Sequence, residues 1–251
     1  MLTNMGLAKP GREAYTLLDK GFLYGLGWIS KALTGKGVEQ ALYGGTSMQA
    51  YFCKALAREK SIGEEGSIVH VLRKTGDYDL AVSEDFEGQT ALGTLRNIGP
   101  TVEEVGGEIY FARFGRIGEK RTMLEVERTT DGGEDSTNVW VTFYNEPRHV
   151  IMAKDATDMK ITNKPVEAIF RIAPIEDTMA GKLIRLNPDR DIPDLLHALS
   201  LYPEMNGDRV YENLCLIQEA GEIVNPIVLR KSREGMVALK DYIETLAKQH
   251  S

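Results

Sequence analysis

A change in the period of the apolar residues constrains this chain more than any other feature. Tyr78, Leu80 and Val82 alternate with polar neighbours, as do Leu124 and Val126, which is the pattern of half-buried strands. From Ile175 onward apolar residues recur every three or four positions, as on helices. Strands are therefore expected at Tyr78 to Val82, Glu108 to Phe114, Thr122 to Arg128, Val139 to Tyr144 and His149 to Ala153, with "TDGGEDSTN" as a hairpin connection. Helices are expected at Asp177 to Leu186, Asp191 to Leu201, Asp208 to Ala220 and Pro226 to Ala247. Upstream, Gly11 to Leu33 reads as one or two helices broken around Gly21 and Gly25, Thr46 to Lys60 as a helix, and Ile68 to Leu72 as a strand-like piece. Strands followed by helices give an α+β class. The boundary is set near residue 174, with a sheet domain over 1–174, a helical domain over 175–251 and a ligand cleft between them.

Composition limits the functional classes. A chain of 251 residues with 42% hydrophobic residues can bury a substantial core. No window approaches the roughly 18 apolar residues that a membrane helix needs, and the start lacks the basic and apolar segments of a signal peptide. A cytoplasmic location with no membrane partner is expected. Cys53 and Cys215 are the only cysteines, without metal-site spacing, and read as core thiols. The four histidines show no ligand spacing and read as structural or exposed. A net charge of −7 argues against broad non-specific nucleic-acid binding. It leaves room for a local basic patch, for which Arg113, Arg116, Lys120 and Arg121 on one hairpin are the candidates.

The chemistry concentrates in two stretches. In "YGGTSM", Gly44 and Gly45 precede a helix whose first N–H groups can hold a phosphate, with Thr46 and Ser47 adding hydroxyls. A helix capped by Thr46 after a flexible turn would look the same. In "RKTGDYDL", Asp77 and Asp79 are spaced to project from one face of a strand while Tyr78 and Leu80 enter the core. Such a pair needs a cation, and oxygen ligands beside phosphate donors suit Mg²⁺, with Mn²⁺ as an alternative. A third carboxylate would come from Glu125 or Glu127 on the strand "RTMLEVER". Lys182 lies at the edge of the apolar stripe of Met179, Leu183 and Leu186, so its ammonium can reach a cleft. Asp191 and Asp194 have the spacing of a helix N-cap and a first-turn acid.

In order and type, "GGTS", "RKTGDYDL" and "EDTMAGKLIRL…RDIPDLLHAL" resemble the AbiEii-type nucleotidyltransferase toxins, a group in the DNA polymerase β-like superfamily that includes the MenT toxins. The resemblance implies a polymerase β-like core of mixed sheet and helices, followed by a helical domain that closes the active-site cleft. It assigns nucleotide binding to Gly44, Gly45, Thr46, Ser47, Arg73, Thr75 and Lys182. Asp77, Asp79 and Glu125 become the metal ligands and, with Lys182, Asp191 and Asp194, the catalytic set; Arg190 and Leu195 complete the last motif. It implies transfer of a nucleoside monophosphate from a nucleoside triphosphate to an acceptor RNA such as the 3′ end of a tRNA, by a toxin with a cognate antitoxin. A protein or small-molecule acceptor, or a non-catalytic nucleotide-binding role, are the alternatives. The connection from Thr46 to Asp77 is longer than is usual in that family and implies an insertion around Glu59 to Leu72.

Overall fold

The computed structural model describes residues 15–59, 72, 74–83, 91–117 and 121–250, except the side chains of 57–59, 92, 116 and 117. Arg73, Lys120, the Arg116 side chain, and the insertion and strand-like piece before Leu72 lie outside the described residues.

Helix α1 (Lys20–Thr34) runs unbroken through the glycines that suggested interruptions. The glycines serve contact with the sheet instead. A Cβ at Gly21 would overlap Thr137, one at Gly25 would come within 2.9 Å of Leu124, and one at Gly27 within 3.1 Å of Ala168. The helix thus sinks onto the sheet, burying Phe22, Leu26, Ile29 and Leu33.

The chain continues through β1 (Gln40–Tyr43), α2 (Gly44–Glu59), β2 (Asp77–Val82), α3 (Ala91–Arg96), β3 (Thr101–Val105), β4 (Glu108–Ile117), β5 (Arg121–Thr130) and β6 (Gly133–Tyr144). Then come α4 (Pro147–Lys154), β7 (Thr157–Asn163) and β8 (Val166–Ile172). All eight strands form one mixed sheet in the order β3-β4-β5-β6-β2-β1-β8-β7. Pairings are antiparallel except β1 with β8 and β2 with β6. The sheet curls around α1 until its ends meet: Gly106, in the β3–β4 turn, leaves room only for Pro165 in the β7–β8 turn.

Helices α5 (Ile175–Leu183), α6 (Asp191–Leu201), α7 (Gly207–Glu219), α8 (Pro226–Glu234) and α9 (Met236–His250) follow, and α2 packs against α5 and α6. One buried cluster runs from Leu17 in the first part to Ile243 in α9. The molecule is thus a mixed α/β protein with a curled eight-stranded sheet and several helices, consistent with the α+β class.

Other expected elements also differ. His149 to Ala153 is not a strand but part of α4, because Pro147 at the first helical position fixes a helical φ and Met152 and Ala153 bury one helical face. The single helix expected from Pro226 is two, divided at Gly235, whose φ of +112° no other residue adopts cheaply. No helix among the described residues is long and apolar enough to cross a membrane.

Candidate functional site

The aspartate pair sits on β2, near the middle of the sheet. Tyr78, Leu80 and Val82 are buried in the core, so Asp77 and Asp79 project from the opposite face. On one side Asp79 stands opposite Tyr43, the last residue of β1. On the other, Asp77 and Asp79 stand opposite Trp140 and Thr142 of β6.

Strand β1 passes without a linker into α2, whose first residue, Gly44, has φ +76°. Glycine is required there for a second reason. A Cβ at Gly44 would lie 2.5 Å from Asp79 Oδ2, so only its absence lets the carboxylate rest against the start of α2. Thr46 and Ser47, in the same turn, are both buried. The Thr46 hydroxyl donates to the Asp77 carbonyl at 2.7 Å, and the Ser47 hydroxyl lies 3.2 Å from that of Thr178 in α5. These side chains lock α2 to β2 and α5. What the turn offers a phosphate is therefore backbone N–H, which amends the expectation of hydroxyl donors.

Asp79 keeps some exposed surface, yet its carboxyl is closely surrounded by protein. Its pKa is raised to about 6, first by burial and then by the charge of Asp77, against the opposing pull of Arg185, Tyr144 and Lys182. The Tyr144 hydroxyl donates to Asp79 Oδ1 at a long 3.5 Å, and the Tyr43 and Tyr144 rings meet edge to face with centroids 5.2 Å apart.

Lys182 is fully buried. Its Nζ lies 2.6 Å from Asp194 Oδ2 and 3.1 Å from Asp191 Oδ1, and Asp191 also accepts from Arg185 at 3.2 and 3.3 Å. Burial pushes the Asp191 carboxyl up, but Lys182 and Arg185 together hold it below its usual range. The N-cap of α6 is Arg190, without a side-chain cap, so these two acids turn towards Lys182 rather than capping their helix. The ammonium therefore does not extend into the cleft as expected; it acts on Asp79 through its field. A further buried carboxylate, Asp177 at the start of α5, accepts from Arg209 Nε at 2.8 Å and from Asn213 at 2.5 Å, which fastens α5 to α7.

Other expected members are not brought to this point. Glu125 shares the face of the aspartate pair, but it stands opposite Asn138, beyond the row holding Trp140, and binds Arg113 at 2.6 Å. Glu127 stands one row further, opposite Ser136. Among the described residues, no group of three His, Cys, Asp or Glu side chains could hold a metal ion. Thr75 precedes β2 in a backbone bridge with Tyr15. Of the basic hairpin, Arg113 is tied to Glu125, and the Arg121 guanidinium lies 4.4 Å from the Trp140 ring centroid.

A cavity of about 200 Å³ opens over the site, lined among others by Tyr43, Gly44, Asp79, Tyr144, Arg148 and Arg185. Nothing in the sequence singles out Arg185, at the common end of a helix for a cation. Arg148 carries a signal, since a cation in the first turn of α4 opposes the helix dipole. A larger cavity, about 450 Å³, lies beside α1 against β3 and β8, but the smaller one holds the convergent carboxylate, guanidinium and helix start.

No family model matches the chain, and no curated protein is detectably related to it. Among solved structures, a candidate nucleotidyltransferase from H. pylori aligns over 92% of this chain and 96% of its own at 14% identity, with a TM-score of 0.41. JHP933 from Helicobacter pylori aligns over 92% of this chain and 93% of its own, also at 14% identity, with a TM-score of 0.39. Likeness this faint assigns neither family nor activity to the chain.

Proposed function

We propose that the protein is a metal-dependent nucleotidyltransferase that moves a nucleoside monophosphate from a nucleoside triphosphate to an acceptor. One observation carries this: Asp77 and Asp79 share a strand face, with Asp79 held against the Gly44 turn at the start of α2 and two arginines bordering the same cavity. Two partly buried carboxylate groups suit a hard divalent cation that completes its shell with water and substrate phosphates, so Mg²⁺ or Mn²⁺ fits Asp77 and Asp79 without Glu125. Bound there, the ion would supply charge that bridges and neutralises the triphosphate.

The chain's own groups do the rest. The first N–H groups of α2 and the guanidinium groups of Arg148 and Arg185 hold the phosphates. Lys182 keeps Asp191 and Asp194 in place and favours the ionised form of Asp79. An acceptor hydroxyl forms the new bond to the α-phosphorus while its proton passes to a carboxylate oxygen of the pair. The bond to pyrophosphate breaks, and the arginines balance its charge. The segment from residue 175 onward borders the same cavity through Thr178 of α5 and Arg185 just beyond its end.

Ionisation of Asp79 offers a test that does not depend on activity. With a folded pKa of about 6 against an ordinary 3.8, the carboxyl favours folding while protonated. That contribution is complete below pH 4 and is lost as the pH rises through 6, a change of about 3 kcal/mol or less. Burial lowers the His149 pKa to about 4, so that group gains stability over the same range, and the loss is read as a difference. Measured against Asp79→Asn, chelator-treated wild-type protein should lose melting temperature between pH 4 and 7, and Mg²⁺ should restore it above pH 6. The Mg²⁺ response should shrink in Asp79→Asn, and a Mg²⁺ effect of equal size in that variant would remove the metal assignment.

For the acceptor, RNA such as the 3′ end of a tRNA is the choice, and with it the toxin role and a cognate antitoxin that the resemblance implies. Trp140, beside Asp77 and stacked by Arg121, favours this choice, because a stacking base and a phosphate find partners next to the reacting groups. Trp140→Ala with Arg121→Ala should cut RNA labelling about tenfold or more, at unchanged nucleotide affinity. It should also flatten the slope of log affinity against log salt by about 0.7 for each RNA phosphate that no longer meets a cation. Unaltered labelling would turn the assignment to a protein or small-molecule acceptor, which the net charge of −7 favours.

A further inference from the structure

Arg148 borders two cavities at once. One is the cavity over Asp79; the other, about 210 Å³, lies against Ile151, Leu216 and Ala220. Glu222 lines both as well, and its Oε1 lies 3.2 Å from Arg148 Nη2. The two side chains differ in how firmly they are placed. Glu222 follows Gly221, which has φ +89° and closes α7 in a Schellman turn, with Gly221 N–H donating to Gln218 at 3.0 Å and Glu222 N–H to Ile217 at 3.2 Å. The backbone under the carboxylate is thereby fixed. Arg148 is the end of a long side chain in the first turn of α4, where a cation gains nothing from the helix dipole, and local rules of this kind are broken mainly at functional sites.

We propose that the Arg148–Glu222 pair is a clasp opened by substrate: Glu222 holds the guanidinium until the phosphates of a nucleoside triphosphate in the Asp79 cavity take it over. The proposal deepens the nucleotidyltransfer reading and rests on it. The exchange is favourable because Glu222, 44% exposed against 17% for Arg148, holds the guanidinium through one contact and can be rehydrated when it lets go, whereas a polyphosphate offers the planar guanidinium paired oxygens and more charge in a partly enclosed space. Arg185 is built differently. It is held by Asp191, a carboxylate that is 2% exposed, and so stays in place when the substrate arrives.

The test is the affinity of the full chain for a non-hydrolysable nucleoside triphosphate with Mg²⁺, measured by calorimetry. Glu222→Gln, which releases the competitor, should tighten binding by up to about fivefold. Arg148→Ala should weaken it about tenfold or more, and Arg148→Lys by less. Adding Glu222→Gln to Arg148→Ala should change nothing further. If the wild type binds while Glu222→Gln is neutral or weaker, or Arg148→Ala binds as tightly, the clasp is wrong and the nucleotidyltransfer reading stands. If the wild type binds no triphosphate at all, both fall together.

Discussion

Lys182→Ala is expected to destabilise the protein by about 3–5 kcal/mol, because it leaves two buried carboxylates without the cation between them. Asp191 and Asp194 side chains are 2% and 4% exposed, so water cannot replace the ammonium. Arg185 continues to serve Asp191, which keeps the loss from being larger. For a chain of this size the fall in melting temperature is roughly 10 °C or more. Replacing both carboxylates as well, in Lys182→Met with Asp191→Asn and Asp194→Asn, should recover much of it, since neutral groups cost less to bury than an unpaired charge. Thermal unfolding of the single and triple variants decides the matter. A Lys182→Ala protein that melts with the wild type would mean the ammonium is no structural tie. A loss of nucleotidyl transfer in Lys182→Ala is therefore to be read together with its stability, because the same change also withdraws a positive charge that helps Asp79 ionise.

The aspartate pair is legible in the sequence because residues two apart on a strand must share a face, and Tyr78 and Leu80 between and beyond them are apolar. Glu125 shows where that logic stops. Alternation identifies the face of a residue, but its row depends on strand register, and register places Asn138 rather than an aspartate beside it. Helix α6 carries the bounds expected, Asp191–Leu201. Strand β1 escapes a reading of period because it is only four residues long, too short for alternation to show. Strand β8 is within reach of such a reading: Val166, Ala168, Phe170 and Ile172 alternate cleanly with exposed or half-buried neighbours. The glycines of α1 mislead because glycine as a breaker and glycine as a close-contact residue look alike until the opposing surface is known. Lys182 does not reach the cleft because it meets buried carboxylates of the next helix, and an amphipathic stripe cannot tell that arrangement from a snorkelling ammonium. Arg148 and Glu222 are far apart in sequence, and only the fold brings them together.

Asp79→Asn is expected to abolish transfer while leaving the fold intact. The amide has nearly the shape of the carboxylate, so the fit against Gly44 survives, and removing one of two like charges relieves a repulsion that raises the Asp79 pKa. If the pair holds the ion, losing one of its two carboxylates would remove several kcal/mol of charge stabilisation, and about 4 kcal/mol corresponds to a thousandfold in rate. A melting temperature equal to or above that of the wild type would accompany that loss. The most direct measurement is incubation of wild-type and Asp79→Asn protein with Mg²⁺, each ribonucleoside triphosphate labelled at the α-phosphate, and total RNA or cell lysate. At least one nucleotide is expected to label a macromolecule with the wild type, and the label to fall at least about a thousandfold with Asp79→Asn. Absence of label with every nucleotide, or equal labelling by the two proteins, would contradict the nucleotidyltransfer reading.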